Sequence, residues 1–245
     1  MTREELISYS LYYGGNYQKI YQAIKENTTV PQKKTENVLT ILDDAYPETL
    51  KDLKYPPFVL YYKGDLKLLE NEKIAVVGSR NPCAYALEAT RALIKANRDK
   101  TVISGMAKGI DACAHLNASK TIGILGCGID YIYPRCNSGL FSKIEEEGLL
   151  LSEYPDHVKP LSFHFPFRNR LIAALSTKVY IMQSDIKSGT MTTVHAALEL
   201  GKEIGVLPYD VFHPKGRNNN QLIYEGAQPI SHEEIAISNK LCKDS

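Results

Sequence analysis

The chain has 245 residues, of which 44% are hydrophobic and 23% are charged, a balance typical of a folded protein rather than of a disordered one. Its formal net charge is only +1, so the overall charge does not indicate a polyanionic partner. No apolar run approaches the roughly 18 residues that span a bilayer, and acidic residues stand near the start where a signal peptide would be basic. These features predict a cytoplasmic protein with no membrane partner.

The first 55 residues are predicted to form a small helical module, of the sterile-alpha-motif-like or helix-hairpin type. Apolar residues recur there at spacings of three and four, within residues 6–13, 20–24 and 38–42. Breaks fall at glycines 14 and 15 and around Pro31. A proline-stiffened connection and a short strand follow, so a second domain is expected over residues 56–240.

Short β-branched runs alternate with amphipathic segments from residue 73 onward. The runs cover residues 74–77, 101–103, 121–125, 149–151, 179–182 and 204–207, and the amphipathic segments cover 84–96, 110–119 and 191–201. Apolar strands that alternate with helices predict a parallel sheet covered on both faces. The fold class is therefore α/β, with an extended, Rossmann-like, doubly wound and mostly parallel sheet.

Small and polar residues follow the predicted strands at four places. These loops cover residues 78–82, 104–111, 126–137 and 187–192. In such a sheet the loops at the carboxyl ends of the strands meet at one edge, and helix N-termini there present free amides to anions. Positive charge is also concentrated here: residues 73–184 hold fourteen Lys/Arg and nine Asp/Glu. The loops therefore predict an anion-binding rim.

A dinucleotide is the first anion to consider, and the residues argue against it. The Gly126-Cys127-Gly128 turn lacks the third small residue of the Rossmann fingerprint, because Tyr131 stands in its place. The second strand ends in Ser104 rather than in the acid that would hold a ribose. No cofactor is expected, and no metal site either, since the histidines and cysteines lack ligand spacing.

Seven segments in order carry a resemblance to a known family. They are VVGSR at 76–80, SGMAKGID at 104–111, TIGILGCGIDYIYP at 121–134, LSEYP at 151–155, FPFRNRLIAALS at 165–176, SGTMTT at 188–193 and GAQPI at 226–230. Together they resemble the DNA-processing protein A (DprA/Smf) family over about three-quarters of the chain. The resemblance implies a non-enzymatic protein that binds and protects single-stranded DNA, forms a homodimer and helps to load the recombinase RecA during natural transformation.

The resemblance, together with the loop positions, nominates the DNA-binding residues. Arg80 matches the phosphate-binding arginine of the family, and Phe141 lies at a position that contacts a base. Ser138 departs from the pattern, because relatives often carry a basic residue there. The predicted set is Gly78, Ser79, Arg80, Ser104, Lys108, Arg135, Asn137, Phe141, Arg168, Asn169, Arg170, Ser188, Gly189, Thr190 and Thr192.

Several of these residues have an alternative structural interpretation. Arg80 would fit a helix cap or a partner for Asp111, and Phe141 would fit the core. Arg168 and Arg170 could divide between DNA and bracing of the loop that holds Asp130.

One enzymatic alternative is a Rossmann-like nucleotide phosphoribohydrolase of the lysine-decarboxylase-like family. Its Gly-Gly-x-Gly-Thr-x-x-Glu element would place a glutamate at position 193, where this chain has Thr193. Without that carboxylate, the acid–base chemistry of such an enzyme has no evident donor.

Overall fold

The computed structural model describes residues 1–185 and 188–235, and within these ranges nine strands form a single sheet. The strands are β1 (Val38–Thr40), β2 (Val59–Gly64), β3 (Lys73–Gly78), β4 (Thr101–Ser104), β5 (Thr121–Ile124), β6 (Leu149–Ser152), β7 (Lys178–Gln183), β8 (Glu203–Val206) and β9 (Gln228–Pro229). Their order across the sheet is β1-β2-β6-β5-β4-β3-β7-β8-β9. From β6 to β9 all neighbours are parallel, whereas β2 pairs antiparallel with both β1 and β6.

The α-helices of the same ranges are α1 (Arg3–Tyr13), α2 (Tyr17–Lys25), α3 (Glu48–Lys51), α4 (Ala84–Ala96), α5 (Ile110–Asn117), α6 (Ser138–Glu147), α7 (His164–Leu175), α8 (Thr190–Glu199), α9 (Arg217–Tyr224) and α10 (His232–Ile235). Two short 3₁₀ helices cover Leu66–Glu70 and Arg135–Asn137. None of the described helices is long and apolar enough to cross a membrane. The predicted mostly parallel α/β fold is confirmed, with each apolar run forming a strand.

The sheet has a topological switch point between β3 and β7. From β3 the chain builds β4, β5 and β6 outward on one side, then crosses back to add β7 and β8 on the other side. Parallel α/β sheets bind ligands at this point, where the connections leave in opposite directions and open a crevice at the carboxyl ends of the strands. The topology therefore selects the ends of β3 and β7 as the place to look for a site.

Alternating side chains of the strands pack into layers on the two faces of the sheet. Val77 of β3 belongs to a core with residues of α7 and α8. Its neighbour Val76 packs on the other face with residues of α4 and α5. A third cluster continues that second face under α1 and α6. Both faces are covered, as the near-continuous apolar strands require.

The N-terminal segment is only partly helical. Thr2 and Glu5 form a capping box that begins α1, and the Asn16 side chain caps α2. The helix expected around residues 38–42 is wrong, because residues 38–40 form β1 at the edge of the main sheet. Leu6 of α1 shares a core cluster with Tyr61 of β2, so this segment packs on the sheet. The domain boundary at residue 55 stays a prediction.

Candidate functional site

A cleft of about 450 Å³ opens at the switch point. It is lined by the end of β3 and its loop (residues 77–80), by parts of the segment 162–172, and by residues around the start of α8 (185, 188–190 and 193), with contributions from 107, 111 and 133. We call it the switch-point cleft. Eight of the predicted site residues line it: Gly78, Ser79, Arg80, Arg168, Asn169, Ser188, Gly189 and Thr190.

The turn after β3 is fixed from two neighbouring elements. The Ser79 amide donates to the Gln183 carbonyl at 2.7 Å, and the Ser79 carbonyl accepts from the Ile110 amide at 3.1 Å. The Ser79 hydroxyl also accepts from the Asn81 amide at 3.1 Å. This rigid turn carries Arg80, which is exposed at the cleft. Within residues 1–185 and 188–235, Arg80 makes no hydrogen bond or ion pair that would commit it to a structural role.

Arg168 also lines the cleft, but its guanidinium is used inside the protein. It is 4% exposed, and Nη1 donates to the carbonyls of Gly105, at 2.8 Å, and Ile124. Burial lowers the pKa of Arg168 to about 10, and the Asp111 carboxylate opposes that shift, so the side chain stays charged at neutral pH. Asp111 thus faces Arg168 and not Arg80. The prediction of Arg168 as a DNA contact is corrected to a buried brace between α7 and the ends of β4 and β5.

Arg170 is committed to an ion pair. Its guanidinium meets the Glu153 carboxylate at 2.5 Å and the Tyr55 carbonyl at 2.8 Å, and it lies over the Phe167 ring at 3.8 Å from the centroid. Both charged side chains are nearly buried. The expectation that Arg170 contacts DNA, or braces the Asp130 loop, is therefore replaced by a structural role.

The Asp130 loop has a different partner: Lys63 of β2 reaches the Asp130 carboxylate at 2.5 Å.

Asn169 ties α7 to the start of α8. Its Nδ2 donates to the Gly189 carbonyl at 3.0 Å and to the Thr192 hydroxyl at 2.7 Å, and the Thr192 hydroxyl donates to the same Gly189 carbonyl at 2.7 Å. These bonds fix the N-terminus of α8 at the cleft, where Gly189 is exposed and Thr190 is nearly buried. Asn169 and Thr192 thus shape the site from behind, while Gly189 presents backbone to it.

The second loop contains one buried and one exposed predicted residue. Ser104 is fully buried and donates to the Val76 carbonyl at 2.6 Å, so the prediction that it lines a groove is wrong. Lys108 is exposed. Asn137 belongs to the next loop and donates from Nδ2 to the carbonyls of Met106, at 3.0 Å, and Ala107, at 3.2 Å. Its amide therefore braces the loop that carries Lys108.

Phe141 is a core residue. It is 3% exposed and packs in the cluster that lies beneath α6, together with Leu140 and Ile144. A base cannot stack on a ring that is covered on both faces, so the predicted base contact is wrong. Arg135 and Ser138 in the same region are exposed.

Two aromatic residues in the cleft take the place that Phe141 was expected to fill. Tyr133 is 42% exposed, and its ring centroid lies 5.4 Å from that of Phe165. A Cβ on Gly126 would come within 2.8 Å of the Phe165 ring, so the glycine at that position makes room for it. Both residues stand inside the family-like motifs, but nothing in their spacing distinguished them from core aromatics.

Two charged residues of this region were missed as well. Lys215, at the end of a long loop after β8, donates from Nζ to the Asn81 carbonyl at 3.0 Å, which places a positive charge beside the Arg80 turn. No local signal in the sequence could have found a contact across 134 positions. Asp185 also lines the cleft and is exposed. Lys187, part of the predicted fourth loop, lies outside the described residues.

Comparison with protein families gives one match that covers most of the chain: the model for DNA recombination-mediator protein A matches residues 37–240. The chain is 40% identical over 207 residues to DNA processing protein DprA of Bacillus subtilis, an alignment that covers 81% of this chain and 70% of the relative. It is 36% identical over 203 residues to protein Smf of Escherichia coli, with 80% and 54% of the two chains covered.

Two solved structures share the fold. The first is DNA processing protein A from Streptococcus pneumoniae, with a TM-score of 0.78, 31% identity, and 96% of this chain and 92% of that chain covered. The second is DNA processing protein A from Helicobacter pylori, whose structure describes its single-stranded DNA binding mode; the TM-score is 0.74, with 37% identity and 80% and 92% of the two chains covered.

Proposed function

Because this chain belongs to the DNA recombination-mediator protein A family, its role lies in DNA processing and recombination, and we propose that it performs that role by binding single-stranded DNA in the switch-point cleft. The relative from Helicobacter pylori, of similar fold and 37% identity, supports the choice of ligand. The proposal concerns residues 78–80, 133, 165 and 188–190, which reach the cleft from four separate segments of the chain.

The single observation that carries the proposal is that the exposed Arg80 guanidinium has no hydrogen-bond or ion-pair partner among the described residues. A rigid turn holds this arginine at the mouth of the cleft, and no described residue occupies its donors. A guanidinium offers two parallel donors to a phosphate, and the N-terminus of α8 lies along the same cleft at Gly189 and Thr190. Backbone amides and a free arginine in one crevice are a good match to a phosphate group.

The charges around the cleft favour an anion. The Asp111 carboxylate lies opposite the buried Arg168, which offsets it. Burial raises the pKa of Asp111, and the Arg168 guanidinium opposes that shift. Lys108 is exposed on the neighbouring loop and Lys215 lies beside Asn81, whereas Asp185 is the acid that remains exposed at the cleft. The balance at the rim is positive even though the chain as a whole is nearly neutral.

Bases have an aromatic surface in the same cleft. Tyr133 exposes its ring beside Phe165, and stacking on aromatic rings holds single strands with little preference for sequence. In a duplex the bases are not available for this contact. The site therefore favours single strands over duplex DNA.

We propose further that the site binds without turnover. Thr193 occupies the place of the glutamate that a phosphoribohydrolase would need, and it is buried at the start of α8. Asp111, the other acid in the cleft besides Asp185, is held by the Ala107 amide and the field of Arg168. The chain belongs to a family described as DNA recombination mediators, which agrees with DNA binding rather than catalysis as the function.

Family membership supports three finer parts of the proposal: action in the cytoplasm during natural transformation, loading of RecA, and a homodimeric state. Exposed apolar side chains such as Leu198 and Tyr224 offer surface for self-association. Leu222, close to Tyr224 in α9, is a core residue and cannot take part. The mass of the protein in solution and co-purification with RecA test these parts separately from DNA binding.

The test of the central proposal is the affinity for a thymidine oligonucleotide and for a duplex of the same length, each at two salt concentrations. We expect tighter binding of the single strand and a loss of affinity at higher salt. Arg80→Ala should weaken single-strand binding about ten-fold or more, since a hydrogen bond to a charged group contributes about 1.5–3 kcal/mol. The matched control is Arg98→Ala, which removes the same charge from an exposed position in the loop between α4 and β4. This loop lies at the amino ends of the strands, whereas the cleft lies at their carboxyl ends.

Equal effects of the two substitutions, or equal affinity for single strands and duplex, would contradict the proposal. A parallel assay incubates the protein with nucleoside monophosphates and measures free base. Release of base that Arg80→Ala abolishes would instead favour the phosphoribohydrolase.

A further inference from the structure

A second concave surface lies next to the switch-point cleft and is lined mainly by aromatic rings. It has a volume of about 640 Å³ and lies between the α1–α2 turn, Tyr55, the loop 154–163 and the start of α7. Tyr17, Tyr55 and Phe167 form one wall, and Tyr154, His164 and Phe163 form the other. We call this surface the aromatic groove.

The rings within each wall of the groove are in contact with one another, and Tyr55 and Phe163 are the exposed ones. Tyr17 and Tyr55 meet edge to face at 5.3 Å between centroids, and Tyr55 lies 6.2 Å from Phe167. On the other wall, His164 stacks on Tyr154 at 4.0 Å and meets the edge of Phe163 at 4.6 Å. Phe163 itself is 62% exposed, so its ring is accessible to a ligand.

The groove adjoins the switch-point cleft. One short segment separates them: Ser162, Phe165 and Pro166 face the cleft, whereas Leu161, Phe163, His164 and Phe167 face the groove. A flexible chain held in the cleft therefore needs to cross only this segment to enter the groove.

The charge of the groove suits the same ligand. Lys19 is the one charged side chain among the described lining residues. His164 also lines the groove, and burial lowers the pKa of its imidazole, so the neutral form is favoured at neutral pH. Lys54 lies 5.4 Å above the Tyr55 ring, and Lys159 is exposed in the adjoining loop. The nearby Glu153 is neutralised by Arg170.

From these observations we propose that the aromatic groove is a second nucleobase-stacking subsite, which binds the part of a single strand that leaves the switch-point cleft. This inference rests on the proposed function of the cleft. Aromatic faces bind bases of any sequence, and the lysines at the edge can donate to the phosphates between those bases.

The absence of tryptophan from the chain allows a direct test. Phe163→Trp places a single tryptophan at the exposed position in the groove. Leu116→Trp places a single tryptophan at the exposed C-terminal end of α5, near the amino ends of the strands and away from the groove. We expect a thymidine oligonucleotide of about 20 nucleotides to quench the emission of the Phe163→Trp protein and not that of the Leu116→Trp protein. A backbone of the same length without bases should quench neither.

Affinity gives the second readout. Phe163→Ala should weaken binding of the oligonucleotide of about 20 nucleotides by about five-fold or more, since one base stacked on an aromatic ring contributes at least about 1 kcal/mol. It should affect binding of an oligonucleotide of about 4 nucleotides much less, because a strand at the short end of known site sizes is too short to fill both the cleft and the groove. Arg80→Ala should weaken both.

The outcomes separate the two proposals. Loss of binding in Arg80→Ala, with unchanged affinity and no quenching at position 163, would overturn the groove subsite and leave the cleft intact. Unchanged binding of both lengths in Arg80→Ala would overturn the proposed function of the cleft, and with it the inference about the groove.

Discussion

The Arg168 guanidinium donates from Nη1 to the Gly105 carbonyl at 2.8 Å, and this bond joins α7 to the loop that follows β4. A Cβ on Gly105 would come within 2.6 Å of Nη2 of Arg168 and 2.8 Å of Oδ2 of Asp111, so the glycine leaves room for both charged groups. The cleft therefore contains two arginines with different roles: Arg168 supports the floor, and Arg80 remains available at the rim.

Substitution of Arg168 should cost stability. In Arg168→Met the side chain keeps most of its volume, but the Gly105 and Ile124 carbonyls lose their donor and Asp111 loses its opposing charge. Removal of one member of a buried charged network typically costs about 3–5 kcal/mol. Urea denaturation of the variant and of the wild type measures the free energy of unfolding directly.

Arg80→Met is the matched control for that experiment. Arg80 is exposed and makes no hydrogen bond or ion pair in the described part of the chain. The free energy of unfolding of the Arg80→Met variant should therefore stay within about 0.5 kcal/mol of the wild-type value. If Arg80→Met were as unstable as Arg168→Met, the assignment of separate roles would be wrong.

A glycine in the second loop should control the position of Arg80. Gly109 has a φ of 79° with a ψ of −120°, and a Cβ there would approach within 2.8 Å of both the Arg80 carbonyl carbon and the Pro82 ring. Gly109→Ala should therefore displace the turn after β3 and lower stability by about 1–3 kcal/mol. We expect a weaker affinity for single-stranded DNA in the same variant, measured by fluorescence anisotropy.

Gly139→Ala is the control for the glycine substitution. Gly139 lies in α6, and a Cβ there has no heavy atom within 4 Å. Alanine favours a helix over glycine, so this variant should be as stable as the wild type or slightly more stable. Normal DNA affinity in Gly109→Ala would show that the turn tolerates the contact.

The sequence predicted the sheet well because the evidence for it is local. Each apolar run from residue 74 onward became a strand, and the helix from 84 to 96 has the predicted bounds. Short segments at the edge were harder: Val38 follows a helical spacing but lies in β1, because pairing with Tyr61 of β2 outweighs a weak pattern.

The site was less predictable because the direction of a side chain depends on residues far away in sequence. Motif position could not distinguish Arg168, which is turned inward toward carbonyls 63 and 44 positions earlier, from Arg80, which is turned outward. Phe141 was predicted and Tyr133 was not for the same reason, since only packing shows which ring the core covers. Lys215 was invisible because its position beside Asn81 depends on the whole intervening chain.

The ion pair between Arg170 and Glu153 should show strong coupling. Both groups are nearly buried, and their atoms meet at 2.5 Å. Arg170→Met leaves the Glu153 carboxylate buried without its cation, and Glu153→Gln leaves the guanidinium without its anion. We expect the double variant to be more stable than the sum of the single losses predicts, with a coupling energy of about 1–3 kcal/mol.

Urea denaturation of the four proteins in this cycle gives the coupling energy. Additive losses would show that the two side chains act independently and that the pair does not stabilise the fold. Binding of Arg170 to DNA in place of Glu153 would have a different signature, namely a coupling that disappears when an oligonucleotide is bound.

A buried histidine should make stability depend on pH. His115 lies within α5 with Nδ1 at 2.6 Å from the Thr121 hydroxyl, which itself donates to the Val102 carbonyl at 2.9 Å. Because the Thr121 hydroxyl hydrogen is used in that bond, the Thr121 oxygen accepts from Nδ1–H of the imidazole. Burial, together with the positive charge of Arg168, lowers the pKa of His115 to about 3.

The unfolded chain takes up a proton on His115 below about pH 6.5, whereas the folded chain does not until about pH 3. Acidification through this window therefore favours the unfolded state, and the stabilisation present above pH 6.5 is lost progressively as the pH falls toward 3. Between pH 7 and pH 5 the loss from this one residue amounts to about 2 kcal/mol.

His115→Gln removes the titration and keeps a donor for Thr121. The variant should be less stable than the wild type at pH 7, yet its free energy of unfolding should fall by about 2 kcal/mol less between pH 7 and pH 5. Other groups with shifted pKa values, such as His164 and Asp111, remain in both proteins, so the difference isolates His115. Identical losses of stability in the two proteins would mean that the His115 imidazole is protonated over the same pH range in the folded and the unfolded chain. That outcome would contradict the burial of its side chain.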